Sequence, residues 1–173
     1  MILKLIFVLG AAASGKSVFA EQLVMGTGAP RVYIATSQAY DSEMNDKILR
    51  HQEQRGPDWR TIECPYELSS ALAEIRPEEV ALIDCATMWL SNHLLSDGDI
   101  EALTAELLQA LAACEGRVVM VSNEVGMGIV PENALARRFR NAQGKLNQEL
   151  AKAADTVVLV AAGLPLVLKG KMP

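Results

Sequence analysis

The amino-acid sequence predicts an α/β fold in which a mostly parallel β-sheet is covered by helices on both faces. Two observations support this. Short aliphatic segments alternate with longer segments of helical periodicity, the pattern of repeated βαβ units. In addition, the first aliphatic segment, 2–9, runs directly into a Gly10–Ser17 stretch that fits GxxxxGKS, a phosphate-binding loop between a strand and a helix. We therefore expect the P-loop NTPase class, RecA-like, with one antiparallel strand at the C-terminal edge.

Length and composition set the domain count and the compartment. With 173 residues, of which 50% are hydrophobic, the chain predicts a single nucleotide-binding domain over 1–173. The net charge of -5 gives no general attraction to nucleic acid or anionic membranes, so a phosphate site must be local. Three cysteines, too far apart for a CxxC pair, indicate a reducing cytoplasm. Lys4 interrupts the first apolar run, so we do not expect a secretion signal.

The phosphate loop has a specific chemistry. Its terminal glycines let the backbone curl so that N–H groups point inward, and the following helix adds its positive end. Lys16 is expected to reach the outer phosphates of a nucleotide, and the Ser17 hydroxyl to bind Mg²⁺. The alternative is an ordinary strand-to-helix turn. The candidate nucleotide-binding residues here are Gly10, Ala11, Ala12, Ala13, Ser14, Gly15, Lys16 and Ser17.

The next elements are a helix over 16–25, a strand over 31–36 and a helix over 41–55. One stripe of the last helix collects Met44, Ile48, His51 and Arg55. On spacing alone, a buried and hydrogen-bonded structural histidine is the favoured interpretation of His51. The neighbouring Lys47 and Arg55 leave a second interpretation open, in which they hold a phosphate against the imidazole.

A strand over 59–64, a helix over 66–75 and an aliphatic strand over 79–84 follow. The last strand ends in Asp84. An acid at a strand tip downstream of a phosphate loop is the pattern of the second nucleotide motif, in which the carboxylate holds Mg²⁺ directly or through water. We therefore expect Asp84 on the metal side of the site.

The C-terminal half predicts helices over 87–95 and 100–114, a strand over 117–123 and a long helix over 133–153. The connecting loop 124–131 places two glycines between apolar residues at a strand end, where substrates are usually met. The long helix is expected to bury an apolar stripe of Leu135, Phe139, Ala142, Leu146 and Leu150.

Two further features of this half leave less to chemistry. His93 is interpreted as structural, and the basic residues near Arg137 either touch phosphate or are solvated. The final apolar run, 157–168, is expected to be buried strand material, with a turn over 163–165 and an antiparallel partner strand over 166–169.

Several strings of the sequence match one enzyme family. Besides the phosphate loop they are Tyr33-Ile34-Ala35-Thr36-Ser37-Gln38, Asp41-x-Glu43-Met44, Ile48-x-x-His51, Trp59-Arg60-Thr61-x-Glu63, Asn123-Glu124-Val125-Gly126-Met127-Gly128-Ile129-Val130-Pro131-Glu132, Leu135-Ala136-Arg137, Phe139-Arg140, Gly144 and Asn147-Gln148. Nearly end to end, the chain resembles the bifunctional adenosylcobinamide kinase/adenosylcobinamide-phosphate guanylyltransferases of cobalamin biosynthesis. The string over 123–131 is specific to that family.

The resemblance implies two reactions on one substrate arm. ATP or GTP phosphorylates the aminopropanol hydroxyl of adenosylcobinamide, and GMP is then transferred from GTP to that phosphate. The second reaction passes through a guanylylated histidine at the position of His51, in place of the structural role that spacing favours. An imidazole nitrogen is a suitable nucleophile for the α-phosphorus. The family also implies Mg²⁺ and a homotrimer.

The family's nucleotide contacts carry over to specific positions of this chain. In addition to the phosphate loop, they are Ala35, Thr36, Ser37, Gln52, Glu53, Gln54, Arg55, Glu63 and Asp84. The chain departs from the family's common loop Gly-Gly-Ala-Arg-Ser-Gly-Lys-Ser at two places. Ala11 replaces the second glycine, and Ala13 replaces the arginine, so one loop cation is missing.

Two other function classes are weighed. A small-molecule or nucleoside monophosphate kinase would use the arginines near Arg137 as a phosphate-clamping lid and would form no covalent nucleotide. A GTP-binding switch is disfavoured, because the guanine-reading Asn-Lys-x-Asp string is absent from the sequence. Neither nucleic acid nor a membrane is expected as a partner.

Overall fold

The computed structural model describes residues 4–38 and 58–172. The strands in these ranges are β1 (Leu5–Gly10), β2 (Arg31–Ala35), β3 (Trp59–Glu63), β4 (Val80–Asp84), β5 (Arg117–Asn123), β6 (Thr156–Ala161) and β7 (Leu164–Lys169). The helices there are α1 (Lys16–Gly26), α2 (Leu68–Ala73), α3 (Ala86–Leu95), α4 (Ile100–Ala113) and α5 (Ala134–Ala153). The predicted helix over 41–55, which carries His51, lies outside the described residues.

The seven strands form one sheet in the order β3-β2-β4-β5-β1-β6-β7. Every neighbouring pair is parallel except β6 and β7, which are antiparallel. The carboxyl ends of the six parallel strands therefore meet along one edge of the sheet, where ligands bind in open α/β folds. The predicted fold class is confirmed, including the antiparallel strand at the C-terminal edge.

Two layers of apolar side chains hold the helices on the sheet, and β1 shows why. Leu5, Phe7 and Leu9 face the layer under α2 to α5, while Ile6 and Val8 face the layer under α1. Successive strand residues point to opposite faces, so a strand covered on both sides must be apolar at every position. All six residues of β1 are buried, which fixes the start of the phosphate loop inside the sheet.

The C-terminal hairpin differs from the prediction. The turn is tighter than 163–165 and consists of Ala162 and Gly163, whose φ angles are 53° and 76°. These left-handed conformations match the twist of the strands that such a two-residue turn joins. Pro165 is consequently part of β7, opposite Val160. An edge strand tolerates proline because its outward N–H positions need no partner.

The expectation that the whole run 157–168 is buried is also wrong. All six residues of β7 are exposed, among them Leu164, Leu166 and Leu168. In the parts of the chain that the structure describes, no helix is long and apolar enough to cross a membrane.

Helix α5 buries a different stripe from the one expected at its first turn. Leu135 is 48% exposed, whereas Leu146 and Leu150 are buried as predicted. Two polar residues, Gln143 and Asn147, are buried on the same stripe. The long helix is therefore anchored by its middle and C-terminal turns, and its first turn is open to solvent.

A buried hydrogen-bond cluster ties the tips of β2 and β4 to helix α3. The Thr36 hydroxyl donates to the Cys85 carbonyl and accepts from the Cys85 N–H, both at 2.7 Å. The amide of Asn92, which is 1% exposed, donates to the carbonyls of Thr36 at 2.8 Å and Pro65 at 2.9 Å. Asn92 thus joins the chain segments that follow three neighbouring strands.

We expect Asn92→Ala to lower the free energy of unfolding by about 1–3 kcal/mol, because two buried carbonyls lose their donor. Urea denaturation measures the change. Ser96→Ala is the control: its hydroxyl also donates to two carbonyls, of Asn92 and His93, but Ser96 is exposed. A change within about 0.5 kcal/mol is expected there. Equal losses in the two variants would show that burial of Asn92 adds nothing.

Candidate functional site

The stretch from Gly10 to Ser17 folds as a compact loop between β1 and α1. Gly15 is the N-cap of α1 with φ 89°, and Ala13 also has a positive φ, 55°. The Ser14 N–H donates to the Ala11 carbonyl at 3.3 Å, which closes the turn. The first turn of α1 contains no acidic residue, and no side chain caps its N–H groups. These donors are available to an anion, which the helix dipole also favours.

Glycine is required at both ends of the loop. A Cβ on Gly10 would lie 2.3 Å from Ser14 Oγ and 2.8 Å from the Val160 carbonyl oxygen. A Cβ on Gly15 would lie 3.1 Å from Gly163 Cα, at a φ that side chains rarely adopt. Ala11 is exposed, by contrast, so its methyl group is accommodated where the family's common loop has glycine.

Neighbouring strand ends hold the loop from two sides. The Gly163 N–H, in the β6–β7 turn, donates to the Ser14 carbonyl at 2.8 Å. The Glu124 N–H, just past β5, donates to the Gly10 carbonyl at 3.0 Å. These carbonyls point away from the inside of the loop, which leaves backbone N–H groups to face it. Ser14 Oγ is buried without a hydrogen-bond partner among the described residues.

Lys16 lies over the loop. Its Nζ donates to the Ala11 carbonyl at 3.2 Å, so the ammonium is held close to the turn. Burial first, and then the charge of Asp84, raise the pKa of the Cys85 thiol to about 11, against the opposing charge of Lys16. The field at one buried thiol thus reports both the lysine of the loop and the acid at the tip of β4.

Asp84 is positioned by β2. The Tyr33 hydroxyl donates to Asp84 Oδ2 at 3.0 Å, and the Thr36 N–H donates to the Asp84 carbonyl at 3.2 Å. In the sheet register Ala35 pairs with Asp84 on one side and with Glu63 on the other. The predicted strand-end residues therefore form one row along the ligand-binding edge.

The described residues contain no group of three or more His, Cys, Asp or Glu side chains that could hold a metal ion. A cation at this edge would therefore take only a few protein oxygens. Asp84 is half-buried at the tip of β4, and Ser17 lies in the first turn of α1. One carboxylate, one hydroxyl and ligand oxygens form a donor set that suits Mg²⁺, which rarely uses an all-protein cage.

A second polar cluster fixes the exit of β5. The Ser122 hydroxyl donates to Asn147 Oδ1 at 2.7 Å, and the Gln143 amide donates to the same oxygen at 2.9 Å. The Asn147 amide donates to the Asn123 carbonyl at 3.1 Å. Because β5 and α5 are joined at this point, the intervening loop leaves the sheet in a defined direction. Asn123 Oδ1 and Gln143 Oε1 lack a hydrogen-bond partner among the described residues.

The structure brings together the predicted residues 10–17, 35–37, Glu63 and Asp84 at one edge of the sheet. His51 and residues 52–55 lie outside the described residues. Sequence reasoning missed the contributions of Tyr33, Asn92 and Gly163, which position other site residues. Tyr33 had a usable signal, since it is a polar-tipped residue within an aliphatic strand that ends at the site.

His93 occupies the structural role expected of it. Its Nε2 lies 3.2 Å from the Tyr66 carbonyl oxygen, and its ring packs edge-on against Tyr66 and Trp89. It is buried under α3 and faces the core. Of the chain's two histidines, His93 is thus part of the packing.

Solved structures with similar folds include the flagellar accessory protein FlaH from Methanocaldococcus jannaschii and the RadB recombinase. FlaH superposes with a TM-score of 0.54 at 15% identity, over 98% of this chain and 79% of that chain. RadB superposes with a TM-score of 0.55 at 15% identity, over 90% and 73%. At this identity the likeness establishes the fold alone, that of the P-loop NTPases.

Curated relatives are much more similar. The chain is 43% identical to the bifunctional adenosylcobalamin biosynthesis protein CobP of Pseudomonas aeruginosa, over 95% of this chain and 96% of the relative. It is 42% identical to the bifunctional adenosylcobalamin biosynthesis protein CobU of Escherichia coli and to that of Salmonella typhimurium, in each case over 95% of this chain and 99% of the relative. A family model described as cobinamide kinase / cobinamide phosphate guanyltransferase matches residues 6–168. The chain therefore belongs to the cobinamide kinase / cobinamide phosphate guanyltransferase family.

Proposed function

We propose that this protein phosphorylates the aminopropanol hydroxyl of adenosylcobinamide from ATP or GTP and then transfers GMP from GTP to that phosphate. The products of the second reaction are adenosyl-GDP-cobinamide and pyrophosphate. The observation that supports this most directly is the loop from Gly10 to Ser17, folded at the ligand edge of the sheet in a chain of this family. The kinase and guanylyltransferase activities follow from the family, and the assignments to residues are ours.

In the kinase reaction the loop's N–H groups and the N-terminus of α1 hold the β- and γ-phosphates. The substrate hydroxyl oxygen attacks the γ-phosphorus, the bond to the β–γ bridging oxygen breaks, and the nucleoside diphosphate leaves with that electron pair. Lys16, held over the loop, stabilises the negative charge that develops on the transferred group. Since Lys16 contacts only the Ala11 carbonyl in the hydrogen bonds described, phosphate oxygens readily replace that partner.

Ser17 and Asp84 would hold Mg²⁺ with the nucleotide's own oxygens. The ion supplies charge neutralisation between adjacent phosphates when it is bound. Tyr33 orients the Asp84 carboxylate by donating to one of its oxygens, which leaves the second oxygen for the ligand side. Thr36 fixes the backbone at the same strand tip, so the acid is held by the sheet and not by a loop.

In the second reaction an imidazole nitrogen of His51 attacks the α-phosphorus of GTP, and pyrophosphate leaves. A phosphate oxygen of adenosylcobinamide phosphate then attacks the guanylyl phosphorus, the N–P bond breaks, and the imidazole is regenerated. The cations Lys47 and Arg55, one helical turn on either side of His51 in sequence, neutralise the phosphate charge. Gln52 to Arg55, with Glu63, are proposed to contact the nucleotide.

We also propose a homotrimer and a cytoplasmic location. The exposed apolar strand β7 supports self-association, because a free sheet edge with exposed leucines is a surface that proteins usually cover. The three cysteines are free and buried, which fits a reducing compartment.

The role of Lys16 predicts a selective loss of nucleotide affinity. Lys16→Ala should weaken nucleoside triphosphate binding about 10- to 100-fold, the effect of removing a charge-assisted hydrogen bond. Isothermal titration with ATP and with GTP measures this. Lys145→Ala is the matched control, because its ammonium is exposed and makes only a 3.9 Å ion pair with Glu101. A Lys16→Ala protein with unchanged affinity and unchanged kinase rate would contradict the phosphate-loop assignment.

The covalent intermediate predicts a specific label. Incubation with α-³²P-GTP and Mg²⁺ should leave acid-labile label on the wild-type protein and none on His51→Ala, because a phosphoramidate forms only at the nucleophilic imidazole. The control is His93→Gln at the chain's other histidine, which is buried against Tyr66 and Trp89. That variant should be labelled like the wild type. Equal labelling of His51→Ala would exclude the proposed nucleophile.

The same label separates this function from that of a kinase without nucleotidyl transfer. Such a kinase would phosphorylate its substrate and retain no label. The lid that it would require draws on Arg137, yet in the structure that guanidinium is hydrogen-bonded to the Pro131 and Glu132 carbonyls. The observed contacts therefore favour the bifunctional reading.

A further inference from the structure

We propose that the exposed apolar side chains of the β5–α5 loop bind the corrin macrocycle of the acceptor, so that its aminopropanol arm reaches the phosphate loop. We call Met127, Ile129 and Val130 the apolar lip. This inference rests on the proposed function and extends it to the part of the substrate that does not react. It is carried by exposure, loop geometry, position and charge.

The apolar lip is unusually exposed. Met127 is 84% exposed, Ile129 95% and Val130 59%. Singly exposed apolar residues are ordinary on protein surfaces, but a contiguous group of large ones marks a binding surface. Gly126 and Gly128 flank Met127, and no described atom lies within 4 Å of where a Cβ on Gly128 would be. The loop therefore leaves open space on the side where a broad ligand would lie.

The loop is nevertheless held in shape by polar contacts. The Gly126 N–H donates to Glu124 Oε1 at 2.6 Å. At the other end, the Arg137 guanidinium donates to the Pro131 carbonyl at 2.9 Å, and Asn133 caps α5 by accepting from the Ala136 N–H at 3.1 Å. These contacts fix the backbone without burying the apolar side chains. A pre-shaped apolar surface loses little conformational entropy when a ligand binds.

The lip is also in the correct place. It begins three residues after Glu124, whose N–H donates to the Gly10 carbonyl at 3.0 Å. Since β5 pairs directly with β1, the loop leaves the sheet beside the phosphate loop. A substrate that rests on the lip can therefore extend a short side arm toward a γ-phosphate held by Gly10 to Ser17.

Charge and shape favour a corrin over other occupants. The alkyl-cobalt corrin ring carries net positive charge and presents broad, methyl-bearing faces. From Glu124 to Ala136 the chain has two acids and no lysine or arginine, so this surface suits a neutral or cationic ligand and not an anionic membrane. A second copy of the chain has a better surface in β7, whose free strand edge offers backbone hydrogen bonds in addition to exposed leucines.

The test measures binding without turnover. Equilibrium dialysis of coloured cobinamide against the nucleotide-free protein should show the Kd rising about tenfold or more in Met127→Ser/Ile129→Ser, because each buried aliphatic contact of this size accounts for roughly that factor. Ile129→Leu, which keeps the apolar volume, should bind like the wild type. GTP affinity and covalent labelling by α-³²P-GTP should remain unchanged in both variants.

Leu95→Ser is the matched control, because Leu95 is 59% exposed at the end of α3 and lies outside the site. It should leave cobinamide affinity unchanged. Unchanged cobinamide affinity in the double variant would overturn the inference while leaving the proposed function standing. A double variant whose sedimentation shows a smaller assembly would also overturn it, since the lip would then be a contact between copies. Wild-type protein that neither binds cobinamide nor is labelled by GTP would overturn both proposals.

Discussion

The close contact between Gly10 and the residues around it is the constraint on which the rest of the site depends. Ser14 Oγ and the Val160 carbonyl occupy the space of a Gly10 side chain, so the chain can turn immediately where β1 ends. Because β1 is buried on both faces between β5 and β6, the turn starts from a rigid base. The two neighbouring strand ends then bind the loop's outward carbonyls, and its N–H groups are left for a ligand. Precision in this site comes from the sheet, and the loop inherits it.

An acidic chain that handles polyanions has to separate its charges in space. Overall net charge is -5, yet the described part of the site offers backbone N–H groups, the N-terminus of α1 and Lys16. The carboxylate of Asp84 stands apart at the tip of β4, two strands from β1, where Tyr33 keeps one oxygen occupied. This arrangement permits an acid and a phosphate site to share one edge without mutual repulsion, provided that a cation lies between them. The proposed Mg²⁺ would fill that role.

Sequence reasoning recovered what local pattern and chemistry determine, and it failed where tertiary context decides. The strand, loop and helix around Lys16 were predictable, because hydrophobic pattern, glycine positions and helix start all agree there. Asp84 was predictable as a strand-tip acid. The exposure of β7 was not, because apolar content says nothing about whether a neighbour covers an edge strand. Gln143 and Asn147 are buried against the usual preference of polar residues, and only the partner hydroxyl of Ser122 explains them. The role of Gly163 required knowledge of a contact 149 positions away, with Ser14.

That last contact joins two regions that seem unrelated along the chain. The Gly163 N–H holds the Ser14 carbonyl, and Gly163 belongs to the turn of a hairpin whose outer strand is uncovered. Whatever settles on that outer strand, a neighbouring subunit included, can twist or stiffen the hairpin and so pull on the curl that grips the nucleotide. Assembly and phosphate handling are in this sense connected by a single lever, with its fulcrum at the tight turn of Ala162 and Gly163 and its short arm one hydrogen bond long.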